Sequence, residues 1–171
     1  MGDDEAGLKG VFGRNRPQPR VVPVKGSYAL KLDGRERELM RQILGDMRAL
    51  LMLEPGDLRV RRLYPSAYAD DAAKEDEYRM LTHEELRSSR LANVDAVEAS
   101  IDAKVLSEEQ LTAWMQAINS LRLVLGTLLD INDDDQELSF DPDDPEARTQ
   151  ALYGYLGGLL DEIVDAQLEV L

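Results

Sequence analysis

The sequence predicts a mostly α-helical bundle built around one apolar helix at about residues 108–131, with a small N-terminal β-hairpin. Three observations carry this. Ser, Thr or Asp is followed three residues later by Glu or Gln at Asp33/Glu36, Thr82/Glu85 and Ser107/Gln110, the pattern of a reciprocal helix cap. Long stretches then place apolar residues three and four apart. Strand-like alternation is confined to Tyr28, Leu30 and Leu32.

In chain order, residues 1–19 read as a flexible lead-in, rich in Gly and Pro, in front of a single domain over 20–171. Arg14, Arg16 and Arg20 form either a docking arm or a solvated tail. Val21–Val24 and Tyr28–Leu32 flank Lys25-Gly26-Ser27 as a hairpin, with Pro23 confined to an edge because it has no N–H for a ladder. Two strands alone are marginal, so the hairpin must pack on helices. The first helix begins after Asp33 and carries Leu39, Met40, Ile43, Leu44, Met47, Leu50 and Leu51 on one face; Pro55-Gly56 stops it. A weakly amphipathic helix spans 70–81. A second, capped by Thr82, runs to about Ile101. The helix after Ser107 has apolar groups most of the way round, which marks a helix buried from several sides. Asp144-Pro145 starts the last helix, with Leu152, Leu156, Leu159, Leu160, Ile163, Leu168 and Leu171 toward the core. Gly154, Gly157 and Gly158 each cost that helix about 1 kcal/mol relative to alanine, and close approach of a neighbouring helix is the expected compensation.

Composition narrows the function. The chain has 171 residues, 43% hydrophobic, with a formal net charge of −14. Residues 1–62 carry +4 and residues 63–171 carry −18, so autonomous DNA binding is not expected: phosphate contacts need clustered Lys and Arg. Without cysteine, disulfides, thiol chemistry and cysteine-held metals are excluded, and a single histidine excludes a multi-histidine metal site. No run approaches the roughly 20 apolar residues of a membrane span, and the acidic start does not resemble a secretory signal. A cytoplasmic protein is expected.

Catalytic patterns are missing. His83 is expected to be an exposed first-turn histidine without a nucleophile or an orienting partner. No Gly-rich phosphate cradle occurs. Asp130, Asn132 and Asp134 match the first ligands of a calcium loop, but Asp135 and Asp141 stand where the loop needs its Gly and its bidentate Glu. No metal, cofactor or catalytic residue is therefore assigned. The candidate partner-binding residues are Arg59, Arg61, Arg62, Tyr64, Tyr68 and Arg122, because Arg and Tyr are enriched at interface hot spots. Arg122 lies within the most apolar helix. It is a structural ion pair, for instance with Asp95, a side chain snorkelling to the rim, or an anchor for a partner.

Four runs carry a family resemblance: Arg62-Leu63-Tyr64-Pro65-Ser66-Ala67-Tyr68, the stretch Leu81–Val97, Trp114-Met115-Gln116-Ala117-Ile118-Asn119 continuing to Gly126-Thr127, and Leu152-Tyr153-Gly154-Tyr155-Leu156. In this order and spacing, over roughly residues 20–171, they resemble the AosR-like family of actinobacterial oxidative-stress regulators, long known as a domain of unknown function. The resemblance implies a non-enzymatic regulatory protein acting through protein partners, a sigma factor or RNA polymerase. The frequent encoding of members beside the ClpS adaptor implies, as the alternative, an accessory role in Clp-linked proteolysis. The proposed redox switch of mycobacterial relatives uses a cysteine pair that this chain lacks. A homodimer is compatible with either role.

Overall fold

A computed structural model describes residues 18–54, 56–131 and 141–170. The expectations for residues 1–17, Pro55, most of the acidic stretch 132–145 and Leu171 lie outside the described residues.

The chain runs β1 (Val21–Val24), β2 (Ser27–Leu30), α1 (Gly34–Leu51), a short 3-10 helix (Leu58–Leu63), α2 (Ala72–Ser100), β3 (Val105–Leu106), α3 (Glu108–Leu128) and α4 (Ala147–Leu168). The hairpin turns on Lys25 and Gly26, both at positive φ (37° and 80°), which matches the right-handed twist of two short strands. Val21 sits opposite Leu30 and Pro23 opposite Tyr28, and β1 is an edge as Pro23 requires. The hairpin is, however, part of a three-stranded antiparallel sheet. Val105–Leu106 pairs with Tyr28–Ala29, and Leu30 N–H donates to the Lys104 carbonyl at 2.9 Å. Two residues are too few to show alternation in a sequence. Tyr28, Leu30 and Leu106 turn one face of the sheet into the core.

Two of the three caps form as expected. Asp33 and Glu36 exchange backbone and side-chain hydrogen bonds at 2.8 and 2.9 Å, and Ser107 and Gln110 do the same at 3.1 and 2.9 Å. The third does not. Residues 72–100 form one uninterrupted helix capped by Asp71, and the Thr82 hydroxyl donates to the Tyr78 carbonyl at 2.8 Å within it. A threonine satisfied by the preceding turn has no need to start a helix. The last helix also begins later than expected. Asp144 closes a turn by accepting from Glu146 N–H at 2.8 Å, and α4 starts at Ala147 with no side-chain cap.

α3 is the axis of the bundle, packing on α2, α4, the 3-10 helix and the sheet. Leu111, Trp114, Ile118, Leu121 and Val124 are buried along it. The Trp114 indole N–H donates at 2.9 Å to Ser100 Oγ, which itself donates to the Ala96 carbonyl, so the largest core side chain leaves no orphaned polar atom. α1 contributes Met40, Leu44, Met47 and Leu51, and α4 contributes Leu156, Leu159 and Ile163; Leu168, expected inside, is 60% exposed.

Arg20, expected in a tail or arm, is instead a tie between elements. It grips Glu162 of α4 through its backbone N–H (2.6 Å) and its guanidinium (2.9 and 3.1 Å), lies 3.5 Å from Glu36 and stacks over Tyr155. Gly157 and Gly158 of α4 are explained by arginines rather than by a neighbouring helix backbone. A Cβ at Gly157 would meet Arg122 and one at Gly158 would meet Arg20, whereas Gly154 faces open space. Among the described residues, no helix is long and apolar enough to cross a membrane.

Candidate functional site

The 3-10 helix packs on α3 and touches α1, and a groove of about 700 Å³ opens between it and α2. Its formation starts with Asp57, whose carboxylate caps the short helix by accepting from Arg59 N–H at 2.9 Å. Three residues per turn then send Val60 and Leu63 inward together and turn Arg59 and Arg61 outward. Val60 and Leu63 are fully buried and fix the helix to the core.

The arginines have different duties. Arg59 is tied to the Asp57 carboxylate at 2.7 and 2.9 Å, points to solvent and does not line the groove. Those bonds hold the Asp57 carboxyl down to about 2. Arg61 is exposed at the rim, and its guanidinium is 4.0 Å from the exposed Asp130 carboxylate. Arg62 reaches across to the Ile131 carbonyl at 2.6 Å and rests on Gly126, where a Cβ would lie 3.0 Å from its Nη1. Gly126 is thus the position at which α3 must be bare. Arg90, behind the groove, donates to the Leu63 carbonyl (2.7 Å) and Ser120 Oγ (3.1 Å), fastening the 3-10 helix to both long helices.

Tyr64 and His83 form the inner wall. Their ring centroids are 4.1 Å apart, and among the described residues neither the Tyr64 hydroxyl nor His83 Nε2 has a hydrogen-bond partner although both atoms are buried. Burial pushes the Tyr64 hydroxyl up and the His83 imidazole down. The expectation of an exposed His83 is therefore corrected: the unbroken α2 carries it to the inner side of the groove. Tyr78, Arg79, Thr82 and Leu86 share that face of α2, and Leu123 of α3 supplies part of the floor.

Tyr68 stays outside, exposed, with its ring edge-on to Tyr78 at 6.0 Å. Its backbone N–H and that of Ala67 donate to Glu75, whose carboxylate is nearly fully buried and also takes Arg79 Nε at 3.2 Å. Hydrogen bonding from Tyr68 keeps Glu75 ionised, with its carboxyl below the usual range. Arg122 is remote from the groove: it stacks on Tyr153 at 4.8 Å and lies against Gly157 of α4. The ion pair with Asp95 does not form. Asp95 instead joins Glu98 in holding Arg48 of α1 at 2.6 and 2.7 Å.

Of the six sequence candidates, the fold thus brings Arg61, Arg62 and Tyr64 together. It adds Tyr78, Arg79, His83, Leu86 and Leu123, which sequence reasoning missed. The available signal was the spacing of Tyr78, Thr82 and Leu86, four apart on one helical face, which is hidden when a helix end is placed at Thr82. The groove is cationic on an acidic chain, since three arginines and one aspartate line it. Among the described residues, no group of three or more His, Asp or Glu is placed to hold a metal ion.

A mostly helical domain with a small sheet and an arginine- and tyrosine-lined groove is the class of protein defined so far. A family described as a domain of unknown function, DUF2017, matches residues 18–167, and the chain belongs to that family. No curated protein and no solved structure matches the chain.

Proposed function

We propose that this chain is a non-enzymatic regulatory protein of the AosR-like, stress-response type, acting on a sigma factor or RNA polymerase through the groove between the 3-10 helix and α2. The observation that carries the reading is the groove itself. It is open, and over a leucine floor it combines exposed arginine with tyrosine, two residue types enriched at binding hot spots. Its histidine lies against a tyrosine ring tilted by 39° and, among the described residues, its buried Nε2 bonds neither a nucleophile nor an orienting acid, an arrangement suited to contact rather than to proton transfer. A cysteine-free chain cannot sense oxidant through its own thiols, so its state would follow that of its partner.

Affinity capture with the full chain from cells under peroxide stress tests this. Sigma factor or RNA polymerase subunits should be enriched, and the Arg61→Glu variant should lose them while keeping its melting temperature. Enrichment of Clp components instead would replace this reading with an accessory role in proteolysis. Turnover of a small molecule in the groove would end it.

A further inference from the structure

We infer that the groove takes a short acidic segment of a protein partner, with carboxylates on Arg61 and Arg79 and an apolar side chain on the floor made by Tyr64, Leu86 and Leu123. This deepens the regulatory reading, on which it rests, by naming the chemistry of the partner.

Charge is the first ground. The chain carries −14, yet the groove lining holds three arginines and one aspartate. That aspartate, Asp57, is already taken by Arg59. Arg79 is held at Nε by Glu75, and its Nη groups make no hydrogen bond among the described residues. Among the described residues, the carboxylate that Arg61 pairs with stands at 4.0 Å. Arg62 and Arg90 behind them spend their hydrogen bonds on carbonyls and a hydroxyl, and neither pairs with a carboxylate among the described residues. The exposed forks of Arg61 and Arg79 are geometrically matched to an incoming carboxylate, which can take two parallel N–H bonds from either.

The second ground is the mixed lining. A small anion would satisfy the arginines and leave the leucine and tyrosine floor wet, whereas a peptide covers both. Leu58, 71% exposed on the rim, extends the apolar contact. Repulsion from the rest of the chain favours a segment with few charges over a polyanion.

The test is selection of random short peptides on the full chain, followed by affinity measurement by fluorescence anisotropy. Enriched peptides should be net negative with at least one apolar residue. Arg61→Glu should weaken them about tenfold. Arg41→Glu, on the outer side of α1, should leave them unchanged. Failure to enrich any peptide, enrichment of basic or neutral ones, equal affinity for the Arg61 variant, or full displacement by millimolar citrate would overturn the inference. If acidic peptides bind through Arg61 but no transcription component is captured, the regulatory reading fails and the groove assignment stands. If such components are captured equally by the Arg61 variant, the reverse holds.

Discussion

Individual side chains divide into those that hold the fold and those that are free to meet something else. Arg61 and Arg62 are neighbours with opposite assignments. Arg62 bonds the Ile131 carbonyl and fills the space above Gly126, so Arg62→Glu should cost about 2–3 kcal/mol in chemical denaturation. Arg61→Glu should change stability by less than about 0.5 kcal/mol, since it gives up only a weak exposed attraction. Equal losses would show that both arginines are structural. Trp114→Phe removes the indole bond to Ser100 and some core volume, for an expected loss of about 1–3 kcal/mol. His83 gives the stability a sign with pH. Burial lowers its pKa from 6.5, helped by Arg87 and opposed by Glu84 and Glu54. The unfolded chain therefore binds a proton that the folded chain resists. Stability is complete above about pH 6.5 and declines as the pH falls below it. Urea unfolding at successive pH values should show this decline in the wild type and a shallower one in His83→Gln; parallel curves would remove His83 as the cause.

Helices and strands show what a sequence can and cannot declare. Both reciprocal caps that formed rest on contacts between residues three apart, which a sequence displays directly. Thr82 displays the same pattern. Its hydroxyl had a second option, the Tyr78 carbonyl, and the packing of Val94 and Val97 farther along α2 rewards the unbroken helix. That choice depends on tertiary contacts. It also decides the site, because only a continuous α2 presents Tyr78, Arg79 and His83 to the 3-10 helix. Strand β3 was invisible because its two residues owe their conformation to Tyr28 and Ala29, far away in sequence. Arg122 was rightly marked as needing compensation, but its partner is an aromatic face, and cation–π pairing leaves no charge pattern to read. The glycines of α4 are separable by experiment. Gly154→Ala meets nothing within 4 Å and should stabilise the helix by about 1 kcal/mol, raising the melting temperature by about 2–4 °C. A fall would mean that Gly154 is required for a contact not yet seen.

Taken whole, the molecule has one continuous core, reaching from the sheet through α3 to α4, with the single tryptophan at its centre. Loss of tryptophan burial and loss of helix should therefore share one midpoint in thermal unfolding; separated midpoints would indicate a sub-domain. The helical architecture was legible because apolar spacing alone specifies which faces must meet. The groove was half legible: the run from Arg59 to Tyr68 marked one wall, and the opposite wall came from a helix whose partner no local pattern names. The grip of Arg20 on Glu162 spans 142 positions and joins the first strand to the last helix. On the ribosome, the hairpin must wait until nearly the entire domain has been synthesised before it can be locked. Until α4 emerges, the nascent chain holds β1 and one side of α3 without their cover, the interval in which a chaperone or a swapped α4 from a second copy would find its opportunity.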